Sequence, residues 1–244
     1  MQGNESDRHP PPGVLYVIAM PIGHPEDITI RALRILRNID IVASEDPAAT
    51  QSLLNYHRIQ ATLTSYGPTR IKEKVAILID ELLRGLHIAL VSDCGTPVIS
   101  DPGFVLIHSA HAQGMQVKAV PGPSALIAAM SVAGISADSF FFQGRLPSSG
   151  ASLERCVRRL LTFDEPTVSL VPSSSLSHVL GHLANQAPRR VIILACDLTK
   201  PEEIIVRGTP SQVQRMLMTR PPVHEITLVV KGKGRVAGRH KNTS

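Results

Sequence analysis

Residues 91–103 read VSDCGTPVISDPG, and the fold follows from how that stretch is placed. It begins where the run 87–91, HIALV, stops. It sets Gly95, Pro97, Pro102 and Gly103 among Ser92, Asp93, Thr96, Ser100 and Asp101 before an apolar pattern resumes at Phe104. A strand that ends in a long polar loop punctuated by Gly and Pro, and then re-enters a helix, is the usual ligand position in an open α/β sheet. Backbone groups there are free to face the ligand. This loop is therefore the first site expected in the chain.

Working outward toward the N-terminus, residues 1–13, MQGNESDRHPPPG, are polar and then Pro-rich and read as a disordered leader. A buried strand at 15–19 stops at MPIGHP, residues 20–25, where two prolines and a glycine force a turn. Glu26 and Asp27 stand where a helix N-terminus favours negative charge. Ile30, Leu33 and Leu36 then form an aliphatic stripe beside an exposed row of Arg31, Arg34 and Arg37. A short strand at 39–43 ends in Ser44-Glu45-Asp46-Pro47. Two adjacent carboxylates at a strand's C-terminal end suit catalysis, and equally suit capping the next helix.

A strand at 62–65 and a helix at 71–84 lead into the central strand. Past the central loop, a helix at 104–113 and a strand at 116–120 end in a third punctuated turn, VPGPSA at 120–125, before a small-residue helix at 126–133. The alternation predicts a parallel-type α/β domain. If the strands that end at 20–25, 91–103 and 120–125 are neighbours, their loops form one rim of exposed backbone groups and a few carboxylates.

After Gly134 the texture changes. Phe140-Phe141-Phe142 reads as a strand and 145–151 as a flexible loop. Helices at 152–161, 176–183 and 210–218 mix with strands at 167–171, 190–195, 204–207 and 225–230 at hairpin-like spacing. The expected plan is a leader at 1–13, an N-terminal parallel-type α/β domain at 14–122, a C-terminal α+β domain with a mixed sheet at 123–232, and a basic tail at 233–244.

Composition narrows the function. Aromatics are 3% with no Trp, which leaves few rings for stacking bases. Cys94, Cys156 and Cys196 are widely spaced and no secretory leader is evident, which points to free thiols in a cytoplasmic protein. No apolar run of about eighteen residues is present, so no membrane span is expected. Residues 1–122 carry ten Lys/Arg against twelve Asp/Glu, a net of −2, whereas 123–244 carry fifteen against eight, a net of +7. The late excess includes Lys231, Lys233, Arg235, Arg239 and Lys241, a pattern suited to a polyanion such as RNA. Neither GxxxxGK[ST], GxGxxG nor GxSxG occurs. His178 and His182 are four apart on a helix but lack a third ligand nearby, so no metal is expected. Asp93 would raise the thiol pKa of Cys94, which therefore reads as a small packing residue of the loop.

AMPIGHPEDIT at 19–29, SEDPA at 44–48, LVSDCGTPVISDPG at 90–103 and PGPSA at 121–125 resemble, in that order, TPIGNLEDIT, AEDTR, LVSDAGTPLISDPG and PGPSA. Those are patterns of the tetrapyrrole methylase superfamily and, within it, of the bacterial small-subunit ribosomal RNA ribose methyltransferases of the RsmI type. The likeness continues through 138–147, 198–200, 207–209 and the strand after Glu225. The resemblance implies a two-domain fold that binds S-adenosylmethionine in the cleft between domains, works as a homodimer, and methylates the ribose 2′-hydroxyl of a cytidine in the RNA of the small ribosomal subunit. Carried over by position, the cofactor would meet Pro21, Asp93, Cys94, Gly95, Thr96, Val98, Ser124 and Ala125, with Val171 and Ile226 closing the site. Glu45 and Lys200 become the proton-handling or substrate-orienting groups, a structural ion pair or a cap being the plain alternative for each. The sequence departs from the pattern at His24, Pro47-Ala48, Ser148-Ser149-Gly150, 171–176 and Cys196-Asp197. Four of these five changes remove positive charge from segments expected to face RNA, and each lost phosphate contact weakens binding. A methylase with a small-molecule acceptor, or a cofactor-binding protein without turnover, are the other two readings.

Overall fold

The computed structural model describes residues 11–99, 101–136, 138–218 and 225–234. Residues 1–10 of the expected leader and 235–244 of the expected basic tail lie outside the described residues. The chain divides into two compact units at Ser124/Ala125.

The first unit alternates β1 (Val14–Ile18), α1 (Ile30–Leu36), β2 (Ile41–Ser44), α2 (Pro47–Tyr56), β3 (Thr62–Ser65), α3 (Ile71–Leu83), β4 (Ile88–Val91), α4 (Phe104–Ala112) and β5 (Gln116–Val120). Its strands lie in the order β3-β2-β4-β1-β5, every pair parallel. Parallel strands need crossovers, and these are right-handed. The steps from β1 to β2 and from β2 to β3 run one way along the sheet, and those from β3 to β4 and from β4 to β5 run the other. Hence α1 and α2 cover one face, and α3 and α4 the opposite face.

Side chains sort with period two onto those faces. Leu15, Ala43, Ile88 and Leu90 join Val75, Leu78 and Leu82 of α3 and Leu106 of α4. Ile18, Val42, Ala89 and Val91 join Ala32 and Leu36 of α1 and Leu54 of α2. All four residues of β4 are buried, as a strand covered on both faces must be. The edge strand β5, Gln116-Val117-Lys118-Ala119-Val120, keeps only Val120 fully inside.

Three local expectations change. Glu26 and Asp27 form a single 3-10 turn, and α1 begins later, where Thr29 Oγ1 accepts from Ala32 N at 3.1 Å. Because the helix starts at residue 30, its buried face is Ala32 and Leu36, and Ile30 is 77% exposed. The strand expected at 39–43 runs at 41–44. Asp40 Oδ2 accepts from His87 N at 2.7 Å and fixes where the β2–β4 ladder begins.

The second unit holds α5 (Ala125–Val132), β6 (Phe141–Arg145), α6 (Gly150–Leu160), β7 (Thr167–Pro172), α7 (Leu176–Gln186), β8 (Ile192–Cys196), β9 (Ile204–Gly208), α8 (Pro210–Leu217) and β10 (Glu225–Val230). The order is β6-β7-β10-β8-β9, with β6 parallel to β7 and every other pair antiparallel. One core of aliphatic side chains from α6, α7 and α8 lies against Val171, Ile226, Leu228 and Leu194. The loop expected at 145–151 is shorter than its polarity suggests. β6 bulges at Gln143, Leu146 N still donates to Leu170 O at 2.8 Å, and the Leu146 side chain is buried in the core. The mixed α/β architecture, a parallel sheet followed by a mixed one, is the one the sequence predicts.

Candidate active site

Because all strands of the first sheet are parallel, their C-terminal ends share one edge. The three strands that end in Gly/Pro-punctuated loops are β4, β1 and β5, and these are adjacent. The loops are laced together by backbone. Met20 N donates to Gly95 O at 2.8 Å, Gly95 N to Pro21 O at 3.3 Å, and Ala19 N to Val120 O at 3.1 Å. Ser92 Oγ also reaches Gly95 O at 3.0 Å, and Thr96 Oγ1 donates to Pro123 O at 3.2 Å. Pro21, Gly95 and Thr96 are thus brought to one rim, and Ser124 immediately follows Pro123. Cys94 Sγ points back toward Ile22 O at 3.6 Å, the packing role expected of it.

Glycine is required at position 95. Its φ is +74°, and a Cβ there would come within 3.3 Å of Ile22 Cγ2. Val98 adopts φ +78°, an outlier for a β-branched residue. Asp101 holds it there, accepting Val98 N at 2.6 Å and Gly103 N at 2.7 Å through its two carboxylate oxygens. The loop is therefore a braced turn with Val98 and Ile99 exposed.

The two acids after β2 part company. Asp46 caps α2, its Oδ1 accepting from Ala48 N at 2.9 Å and Ala49 N at 3.2 Å. Asp46 N in turn donates to Asp93 Oδ1 at 2.9 Å, which ties the β2 end to the β4 loop. Glu45 caps nothing. Burial, followed by the charges of Asp93 and Asp101, pushes its carboxyl above the usual range. Asp93 is also raised, by burial first and by Asp46 and Asp101, with the Asp46 N–H opposing the shift. Tyr66, buried at the end of β3, donates to Val91 O at 3.0 Å; burial and then Asp101, Glu45 and Asp93 push its phenol well up. Among the described residues, none of these carboxylates forms an ion pair with Lys or Arg. A rim with uncompensated negative charge and open backbone suits a ligand that carries positive charge.

In the second unit, Val171 and Ile226 are cross-strand partners in the β7–β10 ladder, each 2% exposed. Beside them Asp197 follows β8, its carboxyl 1% exposed. Its Oδ1 accepts Glu225 N at 3.3 Å and lies 3.5 Å from Lys200 Nζ. Its backbone accepts from Lys200 N at 3.0 Å, and both Asp197 and Thr199 have positive φ. Lys200 is thereby held in a fixed turn as one half of an ion pair. Cys196 faces the core, and burial followed by the Asp197 charge pushes its thiol up to about 12.

Sequence reasoning missed Tyr66, Asp101 as the brace of the loop, and Asp197 as the partner of Lys200. Tyr66 and Asp197 act across 25 and 28 residues, beyond any local pattern. Asp101 was within reach, since an Asp two residues before a Gly signals a side chain folding onto nearby backbone N–H groups.

Comparison with known proteins bears on what this rim does. The family model described as tetrapyrrole (corrin/porphyrin) methylases matches residues 14–214. The chain is 35% identical over 227 residues to a Thermotoga maritima protein named ribosomal RNA small subunit methyltransferase I, covering 91% of this chain and 99% of that one. It is 36% identical over 230 residues to the protein of that name from Haemophilus influenzae, covering 91% and 79%. Among solved structures, a cobalt precorrin-4 methyltransferase of cobalamin biosynthesis is similar with a TM-score of 0.67 at 18% identity, covering 89% of this chain and 94% of that one. A diphthine synthase is similar at 0.67 and 12%, covering 90% of each. At such identities the structural likeness concerns the fold.

Proposed function

Because the chain belongs to the tetrapyrrole (corrin/porphyrin) methylase family, we propose that it is an S-adenosylmethionine-dependent methyltransferase acting on the ribose 2′-hydroxyl of a cytidine in small-subunit ribosomal RNA. The observation that carries this is the identity of 35% across 91% of the chain to a protein named for that RNA. The likeness to tetrapyrrole-pathway enzymes is at half that identity, which favours an RNA acceptor over a small molecule. No helix among the described residues is long and apolar enough to cross a membrane, and an RNA acceptor implies a cytoplasmic enzyme. Val98, Ile99 and Phe104 leave an exposed apolar surface on the central loop and the start of α4, which supports a homodimer.

The residues at the rim fit the donor. S-adenosylmethionine supplies a methyl group already activated on a positively charged sulfonium, and the carboxylates of Glu45, Asp93 and Asp101 give that charge a favourable place. Pro21, Gly95 and Thr96 offer backbone and hydroxyl contacts at the first unit's edge, with Ser124 and Ala125 following the β5 loop. Val171 and Ile226 supply apolar surface from the second unit. In the reaction the methyl leaves sulfur and joins the ribose oxygen, and the hydroxyl proton must go to a base. Glu45, with a raised pKa and no cap to make, is suited to accept it. Lys200, held by Asp197, is suited to orient the anionic acceptor.

Calorimetric titration with S-adenosylmethionine tests the first half, and no measurable binding would remove the enzyme reading. Incubating the protein and cofactor with small ribosomal subunits from a strain that lacks the gene tests the second. Mass spectrometry should show one new methylated cytidine ribose. An unchanged ribose pattern with intact cofactor binding would overturn the RNA acceptor.

A further inference from the structure

Three segments far apart in sequence meet at the end of the second sheet away from Val171 and Ile226. In the last turn of α6, Arg159 lies over the Phe141 ring at 5.2 Å, and that ring stacks on Phe163 at 4.2 Å between centroids. Past β10, Lys231 N donates to Val191 O at 3.0 Å and Lys233 N to Phe163 O at 3.1 Å. Arg190 closes the group by donating from Nη1 to Lys231 O at 2.9 Å. Gly232 permits the passage, because a Cβ there would collide with the backbone of Asp164 and Glu165. The side chains of Lys231, Lys233, Arg189 and Arg159 are exposed.

The charge balance at this end is one-sided. Arg158 is neutralised by Glu154 at 2.7 Å. The five cations Arg159, Arg189, Arg190, Lys231 and Lys233 then face only two acids, Asp164 and Glu165, a net of +3. The sequence continues with Arg235, Arg239 and Lys241 and no further acid. A cluster of Lys and Arg fixed to one edge, beside a half-exposed aromatic pair, is the footprint of a nucleic-acid backbone.

We propose that this basic end of the second unit is a docking surface for the phosphodiester backbone of RNA, separate from the end of the unit that carries Val171 and Ile226. It rests on the RNA reading above and adds a second point of contact. Ile226 and Lys231 are five residues apart on an extended strand, about 17 Å at ~3.3 Å per residue. An RNA spanning both ends would touch the enzyme across about three single-strand phosphates or more. The surface supplies affinity without sequence preference, since phosphate contacts position rather than specify.

The test is titration of the full chain with a fluorescein-labelled 20-nucleotide single-stranded RNA at 50 and 200 mM KCl. The comparison is a variant carrying Arg189→Gln, Lys231→Gln and Lys233→Gln. Each phosphate contact adds about 0.7 to the salt slope for single strands. Three lost contacts mean that, over the fourfold rise in salt, the parent weakens roughly 20-fold more than the variant. Equal salt slopes in the two proteins overturn the proposal. So does binding to phosphatidylserine vesicles that the variant loses while neither protein binds RNA. Calorimetry with S-adenosylmethionine runs in parallel and should be unchanged by the variant. If neither protein binds the cofactor but the RNA slopes differ, the enzyme reading falls and the docking surface stands.

Discussion

Replacing Asp93 by Asn separates charge from geometry at the rim. Asn keeps an Oδ1 that can accept the Asp46 N–H bond, 2.9 Å in the parent, so the tie between the β2 and β4 ends survives. What is lost is one negative charge among Glu45, Asp46 and Asp101. S-adenosylmethionine carries a net positive charge through its sulfonium and ammonium groups. At contact distance a unit pair is worth about 1 kcal/mol in water and about 4 kcal/mol at an effective dielectric constant of 20. Asp93 is solvent-exposed, which places it near the water limit. About 1 kcal/mol corresponds to roughly fivefold weaker binding.

Stability should move the other way. Burial and neighbouring acids raise the pKa of Asp93 in the folded state. The folded protein therefore binds the proton more readily than the unfolded chain, and stability falls as pH rises from the unfolded pKa through the raised one. At neutral pH the parent carries that cost and the Asn variant does not, so the variant's Tm without cofactor should be equal or higher. The sign for binding is opposite. Cofactor affinity should fall as pH drops through the raised pKa values of Asp93 and Glu45, and fall less in the variant. Calorimetric titration from pH 4.5 to 8, with thermal melts at the same pH values, reads both effects. An unchanged Kd, or a parallel loss of affinity and Tm, would refute the electrostatic reasoning and leave Asp93 as a structural residue only.

Gly95→Ala should cost about 1 to 2 kcal/mol in chemical denaturation, the usual penalty for a side chain in the left-handed region, and should weaken cofactor binding because the β1 and β4 loops are joined at that residue. Tyr66→Phe removes the hydroxyl that donates to Val91 O and should destabilise by about 1 kcal/mol. In the parent, the tyrosinate absorbance of Tyr66 should be missing from an alkaline titration until the protein unfolds, because its pKa is raised. Cys196, with a thiol pushed up to about 12 and a side chain in the core, should resist iodoacetamide at pH 8 in the native protein and react once urea unfolds it, as peptide mass spectrometry would show.

The fold was legible because its period-two and period-three-to-four patterns are local. β4 is apolar throughout because it is covered on both faces, and the three Gly/Pro-rich turns follow adjacent strands, so their shared rim could be anticipated from the chain order alone. Ile30 was misread because a stripe of i, i+3 and i+6 residues does not say where the helix starts, and Thr29 decides that by its cap. Leu146 was misread because its neighbours Ser148 and Ser149 are polar, while its own burial depends on pairing with Leu170, 24 residues away. The carboxylates were visible as letters. Which of them caps a helix and which is left unpaired depends on hydrogen bonds that only the folded edge creates.

The charges missing from the family pattern are not equivalent once the fold is known. Cys196 stands where that pattern has Arg, yet its side chain lies at 0% exposure in the core of the second unit, so this change alters packing and removes no contact with a substrate from the surface. Pro47 begins α2, and Asp46 is the cap that needs a helix there. By contrast Ser148, Ser149, Ser173 and Ser174 are exposed, and at those positions a lost cation is a lost phosphate contact. The net charge of the second half is nevertheless +7, and much of it is gathered where β10 leaves the sheet. Affinity for a polyanion depends on how many phosphates are neutralised at once. A chain that gives up cations on two exposed loops and holds others at the far end of the same sheet can retain its grip on RNA while contacting it at different nucleotides.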